Sequence, residues 1–379
     1  MSDPSRDEVF LRRALELARA GIGLAAPNPY VGAVIVDDRG NVVGFGTHAF
    51  DGVKHAEVIA LEQAGSKAKG ATLYINLEPC SHQGRTGPCA DAVIAAGIRR
   101  VVACMQDPNP QVSGKGFERL RNAGVSVASG ILQQEGRELN EPFAKYMRTH
   151  TPLVTLKAAM TLDGKIAPPA DAAGAATGWI TSELARSHVQ ELRHQNDAIM
   201  VGVGTVLADD PLLTDRSGKP RRRPFLRVVL DSRLRLPLES QLVRTAHNDV
   251  LVLCSFAEQN CMRELREKGI RVEQIAASGD GRPDMQAVVR RLGEIGVTSV
   301  LVEGGALVNW AALAAGVVDK VFLYYTPKIL AGTESVPFAA GAGFRHMNES
   351  PQVKELRFHH FGDEFAVEGY LRDPYGEED

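Results

Sequence analysis

Two consecutive α/β domains are what this sequence predicts, and three observations carry the expectation. The chain has 379 residues, enough for two domains or three at a typical ~150 residues each. Short apolar runs alternate with helix-period stretches in both halves, the pattern of strands and helices packed in layers. A polar stretch, Met147-Arg148-Thr149-His150-Thr151-Pro152, separates the two alternations. The boundary is placed there, giving domains 1–148 and 149–379.

In order, Asp7 to Ala20 puts Val9, Phe10, Ala14, Leu17 and Ala18 on one helix face and stops at Gly21. Pro27-Asn28-Pro29-Tyr30-Val31-Gly32 reads as a rigid turn before a strand over Ala33–Val36. Asp38-Arg39-Gly40-Asn41 then makes a hairpin turn into Val42–Gly46. A helix opens at His55, a strand at Thr72 and a second helix at Cys89, the last ending at Gly97. A strand over Arg100–Met105, a helix over Gly116–Asn122, a strand near Val125 and a helix from about Ile131 complete the first half.

In the second half, strands are expected at Leu153–Ala159, Ala198–Val203, Leu226–Leu230, Val250–Leu253, Ile270–Ile275 and Ser299–Val302. Helices are expected at Ser182–Gln195, Gln259–Lys268, Asp284–Gly293 and Ala306–Ala315. A tail of strands without helices follows: Asp319–Tyr325, Val353–His360 and Glu364–Leu371. No internal repeat relates the halves.

Composition narrows the function. The chain is 44% apolar and 23% charged, an ordinary soluble globular balance. Its net charge of −3 argues against a nucleic-acid partner. No apolar run approaches the ~20 residues of a membrane span, and the N-terminus lacks a signal peptide's apolar region. A cytoplasmic enzyme is expected. Of the five cysteines, Cys104, Cys254 and Cys261 read as free thiols.

Chemistry concentrates between His55 and Cys89. One imidazole (His55) and two thiols (Cys80, Cys89) can hold a tetrahedral zinc with its fourth position open to water. Glu57, two residues past the histidine, is placed to carry protons rather than to bind metal. H-x-E followed by P-C and a second cysteine marks the zinc deaminases. Here the cysteines enclose eight residues instead of two. Helices opening at His55 and Cys89 would add positive potential at two ligands.

Two glycine-bearing turns in the second half, Gly202-Val203-Gly204-Thr205 and Glu303-Gly304-Gly305-Ala306, each follow a strand. Bare N–H groups at such turns suit an anion, and two of them point to a phosphate-bearing cofactor. The basic run Arg221-Arg222-Arg223 reads as a solvated loop. His48 and His82 lie in polar turns flanking the zinc segment, where ligand contact is expected.

These residues resemble a known family. Asn28-Pro29-Tyr30-Val31-Gly32, His55-Ala56-Glu57-Val58 and Pro79-Cys80-Ser81-His82-x-Gly84-Arg85-Thr86-x-Pro88-Cys89 are similar to the bifunctional riboflavin-biosynthesis deaminase–reductases, the eight-residue gap included. So are Lys157-x-Ala159-Met160-x-Leu162-Asp163-Gly164-Lys165, Trp179-Ile180-Thr181-Ser182, the run from Gly202 to Pro211, and Glu303-Gly304-Gly305. The resemblance implies an N-terminal cytidine-deaminase-like three-layer α/β domain. A C-terminal dihydrofolate-reductase-like α/β domain would follow it. The implied reactions are zinc-dependent deamination of 2,5-diamino-6-ribosylamino-4(3H)-pyrimidinone 5′-phosphate, then NADPH reduction of ribosyl to ribityl.

By motif, Asn28, His48, His82 and Arg85 would hold the deaminase substrate. Ala159, Trp179, Thr205, Asp209, Ser232 and the turn Gly305, Ala306, Leu307, Val308, Asn309, Trp310 and Ala311 would line the NADPH site. Lys157, Thr177, Arg193, Leu213, Arg216 and Glu303 would line the reductase substrate site. The chain departs from the family pattern at Gly87, where proline is usual, and at Thr177, where serine is commoner. The expected partner is a small pyrimidine ribotide, with no nucleic acid or membrane, and the expected assembly a homo-oligomer. The rival reading is another nucleobase or tRNA deaminase with an appended nucleotide-binding domain. A non-catalytic zinc-binding regulator is a third, against which the intact Glu57 argues.

Overall fold

The computed structural model describes residues 4–83, 87–110, 112–169 and 179–377. Two compact units divide it: Met1–Thr149 with Pro220–Arg222, and His150–Lys219 with Arg223–Asp379. Among the described residues, no helix is long and apolar enough to cross a membrane.

The first unit is built on strands β1 (Gly32–Val36), β2 (Val42–Thr47), β3 (Thr72–Leu77), β4 (Arg100–Met105) and β5 (Ser126–Ser129), in the order β2-β1-β3-β4-β5. β1 runs antiparallel to both neighbours, while β3, β4 and β5 are parallel. Its helices are α1 (Pro4–Arg19), α2 (Ala56–Ala64), α3 (Cys89–Ala95), α4 (Lys115–Asn122), α5 (Gln133–Leu139) and α6 (Glu141–Thr149). Val34 and Val36 pack with Leu11, Ala14 and Leu15 of α1. Alternation sends Ala33 and Ile35 to the opposite face, where α2 packs. Every residue of β1 is buried, as a strand covered on both sides must be, so three layers result. A Cβ on Gly46 would stand 2.3 Å from the Ala56 carbonyl oxygen, so glycine there lets the N-terminus of α2 lie flat on β2.

A buried triad ties α1 to this sheet. Arg100 donates to both Asp7 oxygens at 2.7 Å and Tyr74 donates to Asp7 Oδ1 at 3.0 Å. Burial alone would raise the Asp7 carboxyl, but these donors outweigh it and hold it below its usual value.

Three expectations change here. The helix expected from Ile131 is two helices, α5 and α6, interrupted at Asn140, whose side chain turns away to bind Tyr30. Met147–Thr149, read as linker, are the last turn of α6, because that helix buries Ala144 and Lys145 one turn earlier. The basic run is not uniformly solvated: Arg222 lies over the Phe50 ring at 4.0 Å and donates to the Ala26 carbonyl at 3.2 Å. A guanidinium that stacks on an aromatic face gains more there than in water.

The second unit carries one long sheet and one short. β6 (Leu153–Thr161), β8 (Ala198–Gly202), β9 (Leu226–Leu230), β10 (Val250–Cys254), β11 (Arg271–Gln274), β12 (Ser299–Val302), β13 (Lys320–Thr326), β15 (Lys354–Phe361) and β16 (Glu364–Tyr370) form the long one. Their order is β11-β10-β9-β8-β12-β6-β13-β16-β15, all running parallel except β16, which is antiparallel to both its neighbours. β7 (Lys165–Ala167) pairs with β14 (Val336–Pro337), neither of which the sequence pattern announces. Helices are α7 (Glu183–Gln195), α8 (Val203–Asp209), α9 (Gln241–Arg244), α10 (Gln259–Glu267), α11 (Met285–Glu294) and α12 (Ala306–Ala314). Ser182 and Asp284 cap α7 and α11 through their side-chain oxygens. The tail, expected without helices, contains one 3-10 turn at Met347–Glu349. Strands buried on both faces make the core, with Val300, Val302, Val154 and Leu156 at its centre.

Candidate active sites

In the first unit, β3 ends at Leu77 and the chain turns through Glu78-Pro79-Cys80. Glu78 is buried, and its carboxylate accepts the N–H groups of Asp107, Gly114, Gly116 and Phe117 at 2.8–3.1 Å. Four donors satisfy an anion that burial would otherwise destabilise. The turn is thereby bolted to the start of α4, and Cys80 with it.

His55 is the N-cap of α2, and Cys89 opens α3. His55 Nδ1 lies 3.1 Å from Cys89 Sγ and 3.6 Å from Cys80 Sγ, and the three ligand atoms all fall within 4.8 Å of one another. Ligands around a tetrahedral zinc stand about 3–4 Å apart, so this donor set fits the ion. The Cys89 N–H also donates to Cys80 Sγ at 3.3 Å. Hydrogen bonding from the Cys89 thiol, then His55, draws the Cys80 thiol down to about 4, while Cys89 is pushed up. Metal binding requires both sulfurs as thiolates and so would release any thiol proton.

Glu57 lies in the first turn of α2 and is 3% exposed. Burial, then the charge of Cys80, pushes its carboxyl up to about 7. A group that gains and loses protons near neutrality suits general acid–base work.

Beside the cluster, the His48 ring meets the His55 ring edge-on at 5.1 Å. His48 Nδ1 lies 3.0 Å from the Lys54 carbonyl oxygen, which makes it the donor nitrogen; Nε2 then accepts from Asn28 Nδ2 at 2.9 Å. Asn28 is held in turn by its neighbours. Asn76 bonds the Gly32 N–H and the Tyr30 carbonyl, and Asn140 bonds the Tyr30 N–H and carbonyl. His82 is exposed on the loop after Cys80. Arg85 lies outside the described residues.

Sequence reading singled out none of Asn76, Glu78, Gly116 and Asn140. The only signal was the position of Glu78, two residues before a candidate ligand.

In the second unit the two glycine turns are neighbours, because β8 and β12 are adjacent and parallel. A Cβ on Gly305 would be 3.5 Å from Thr205 Oγ1, and one on Gly202 would press on Val308 at 2.8 Å. Val203, expected to end the strand, instead begins α8. Gly305 is the N-cap of α12 and offers no side chain to the N–H groups of its first turn. That bare helix start beside the Thr205 hydroxyl fits a cofactor phosphate.

Within the turn from Gly305, Val308 packs toward Gly202 and Gly304, Asn309 donates to the Phe338 carbonyl at 2.7 Å, and Trp310 covers Gly341. Ala306 is buried, Ala311 half-buried and Leu307 exposed. Ala159 is half-buried on β6, Ser232 half-buried after β9, and Asp209 exposed at the end of α8. Trp179 is 71% exposed with the Arg186 guanidinium over its ring at 4.8 Å.

Glu303 accepts from Arg193 through Nε (2.8 Å) and Nη2 (3.1 Å) and from Lys157 Nζ at 3.3 Å. Arg193 also donates to the Thr214 carbonyl, next to buried Leu213. Leu213 holds φ +53°, a conformation that ordinary residues adopt only when their surroundings impose it. Arg216 is exposed, its side chain in solvent. Thr177 lies outside the described residues.

Comparison with known proteins agrees with a zinc-binding deaminase domain followed by a reductase domain. The cytidine and deoxycytidylate deaminase zinc-binding region matches residues 4–105, and the RibD C-terminal domain matches residues 152–367. The riboflavin biosynthesis protein RibD of Aquifex aeolicus is 40% identical over 95% of this chain and 97% of its own. That of Escherichia coli is 41% identical over 96% and 98%. Among solved structures, Acinetobacter baumannii RibD has a TM-score of 0.83 at 35% identity, covering 97% of this chain and 99% of that one. A Thermotoga maritima diaminohydroxyphosphoribosylaminopyrimidine deaminase/5-amino-6-(5-phosphoribosylamino)uracil reductase gives 0.81 at 37%, with the same coverage.

Fold and site define an enzyme that joins a cytidine-deaminase-type zinc-binding domain to a reductase domain. The chain belongs to the RibD family of riboflavin-biosynthesis proteins.

Proposed function

We propose that this chain carries out two consecutive steps of riboflavin synthesis on one pyrimidine ribotide. Residues 1–148 deaminate 2,5-diamino-6-ribosylamino-4(3H)-pyrimidinone 5′-phosphate to 5-amino-6-(5-phosphoribosylamino)uracil. Residues 149–379 then reduce its ribosyl group to ribityl with NADPH. The observation that carries the reading is the convergence of His55, Cys80 and Cys89 beside a buried Glu57.

When bound, zinc supplies Lewis-acid activation of the attacking water. Glu57 takes the proton from that water and hands it to the departing 2-amino nitrogen. Asn28, fixed by His48, keeps its amide oxygen for a pyrimidine N–H. His82 and Arg85 are assigned to the substrate from the loop.

In the reductase, NADPH supplies the hydride. The α12 N-terminus and Thr205 bind its phosphates, with Ala159, Trp179, Asp209 and Ser232 along the rest of the cofactor. Lys157, Glu303 and Leu213 are assigned to the substrate end, as is Thr177 from its motif alone. Arg193 is committed to Glu303, so Arg216 is the guanidinium with reach for the substrate phosphate. A net charge of −3 favours this small-molecule partner over nucleic acid. Leu356 and Phe358, 52% and 61% exposed on edge strand β15, favour a homo-oligomer.

The test supplies the diamino ribotide with and without NADPH, following ammonia and NADPH absorbance together. Ammonia release without NADPH, and NADPH oxidation only after deamination, are the expected results. Turnover of cytidine or tRNA in place of the ribotide would overturn the reading.

A further inference from the structure

We propose that Tyr324 is a positioning residue of the reductase, acting through Lys157. The inference rests on the reading of Lys157 and Glu303 as the substrate end of that site. Tyr324 is fully buried on β13, where it pairs with Ala159 of β6; Phe322, two residues before it, pairs with Lys157. Period-2 alternation puts Lys157, Ala159, Phe322 and Tyr324 on one face of the sheet. Ala159, Phe322 and Tyr324 pack with Ala185, Val189 and Leu192 of α7.

Lys157 has little else to fix it. Its side chain ends in a compact charge on a flexible four-carbon stem, and its bond to Glu303 is a single 3.3 Å contact. The Glu303 carboxylate cannot swing to meet it, because Arg193 holds both oxygens. Tyr324 supplies the missing constraint: Lys157 Nζ stands 5.7 Å from the centre of its ring. A cation over an aromatic face at this distance is attracted by the ring quadrupole. The ammonium is thus confined between a fixed carboxylate and a fixed ring.

The ring is itself fixed. The Tyr324 hydroxyl lies 2.6 Å from His188 Nδ1, and the ring packs against Phe322 at 5.1 Å and Phe361 at 5.5 Å. Burial, then the neighbouring His359, lowers the His188 pKa, so its Nδ1 is an acceptor. Burial, then Glu303 and Glu368, keeps the phenol protonated, so it donates. His188 comes from α7, the same helix that delivers Arg193. One helix therefore sets both neighbours of Lys157: Glu303 through Arg193, and Tyr324 through His188.

The experiment uses the full-length zinc-loaded enzyme with deaminated ribotide and NADPH, and compares Tyr324→Phe, Tyr324→Leu, Lys157→Met and the Lys157→Met/Tyr324→Leu double variant. Tyr324→Leu is expected to lower reductase kcat by about tenfold, with NADPH Kd from fluorescence titration and the deaminase rate held. Tyr324→Phe, which keeps the ring and loses only the hydrogen bond, should recover most of that loss. The double variant should be no slower than Lys157→Met alone, since two residues acting through one ammonium do not add. Additive losses in the double variant, or a fall in NADPH affinity parallel to kcat, would make Tyr324 a packing residue and overturn the inference. So would wild-type kcat in Tyr324→Leu. Full reductase activity in Lys157→Met is a different failure: it would overturn the substrate-end reading, and this inference with it.

Discussion

Glu78 and Gly116 meet at the root of the metal-ligand turn: Glu78 Oε1 accepts the Gly116 N–H at 2.8 Å, and a Cβ on Gly116 would stand 2.0 Å from the Pro79 carbonyl oxygen. The residue before Cys80 thus rests directly on the backbone of α4. Gly116→Ala is expected to push Pro79 and Cys80 off the His55–Cys89 pair. Zinc affinity, measured against a competing chelator, should fall by about 10–100-fold, as for other losses of ligand support. Wild-type affinity in this variant would show that the turn can yield.

One zinc per chain is expected, lost in Cys80→Ala. Metal analysis of freshly purified protein checks both halves of the statement. Full retention of zinc after the substitution would remove Cys80 from the ligand set.

Glu57→Gln keeps the size and hydrogen bonding of the side chain but cannot carry a proton. Zinc content should stay, while ammonia release falls by roughly 10²–10⁴. Reduction of the deaminated ribotide by the same preparation should continue. Loss of both activities together would contradict two separate sites.

Acid should weaken the second unit through Glu303. Burial alone would raise this carboxyl, but Lys157 and Arg193 outweigh it and hold it at about 2, below its ordinary 4.5. A depressed folded value means the stabilisation is complete above pH 4.5 and is lost as pH falls toward 2. Glu303→Gln leaves two buried cations without their anion, so at neutral pH it should cost about 3–5 kcal/mol. The gap between wild type and variant in denaturant unfolding should close across that acid window. A gap independent of pH would assign the loss to packing.

Two arginines have different fates in the reductase. Arg216→Ala is expected to raise the KM for the deaminated ribotide by about tenfold or more, the loss of a charge-assisted phosphate contact, with the melting temperature unchanged. Arg193→Ala should lower the melting temperature as well, since it strips Glu303 of its bidentate partner. Paired kinetics and thermal melts of the two variants decide between these outcomes.

What could be read from the chain alone follows how local each feature is. Strands such as Arg100–Met105 and Leu226–Leu230 were legible because continuous apolar runs are needed for burial on both faces. The start of α8 was hidden by two glycines, Gly202 and Gly204, that favour a turn; burial of Val203 and Val206 overrides them. The set His55, Glu57, Cys80 and Cys89 could be picked out by spacing, because metal chemistry restricts residue types. Its supports could not. Asn76, Glu78 and Tyr324 act through partners about 30 to 140 residues away, and apart from the place of Glu78 two residues before Cys80 nothing in their own neighbourhoods marks them. Arg222 misled for the same reason, since Phe50 is invisible from its own loop.

The clasp of Asn140 on Tyr30 joins residues 110 positions apart. All of His55, Cys80 and Cys89 leave the ribosome before Asn140 does. A growing chain can therefore gather its metal ligands while the turn bearing Asn28 is held by Asn76 and His48 but still lacks its Asn140 clasp. Capacity to hold the ion precedes the last support of the substrate turn, which arrives only when α5 gives way to α6. Release of a chain broken off between those points would yield a zinc-binding fragment with an unfinished substrate turn.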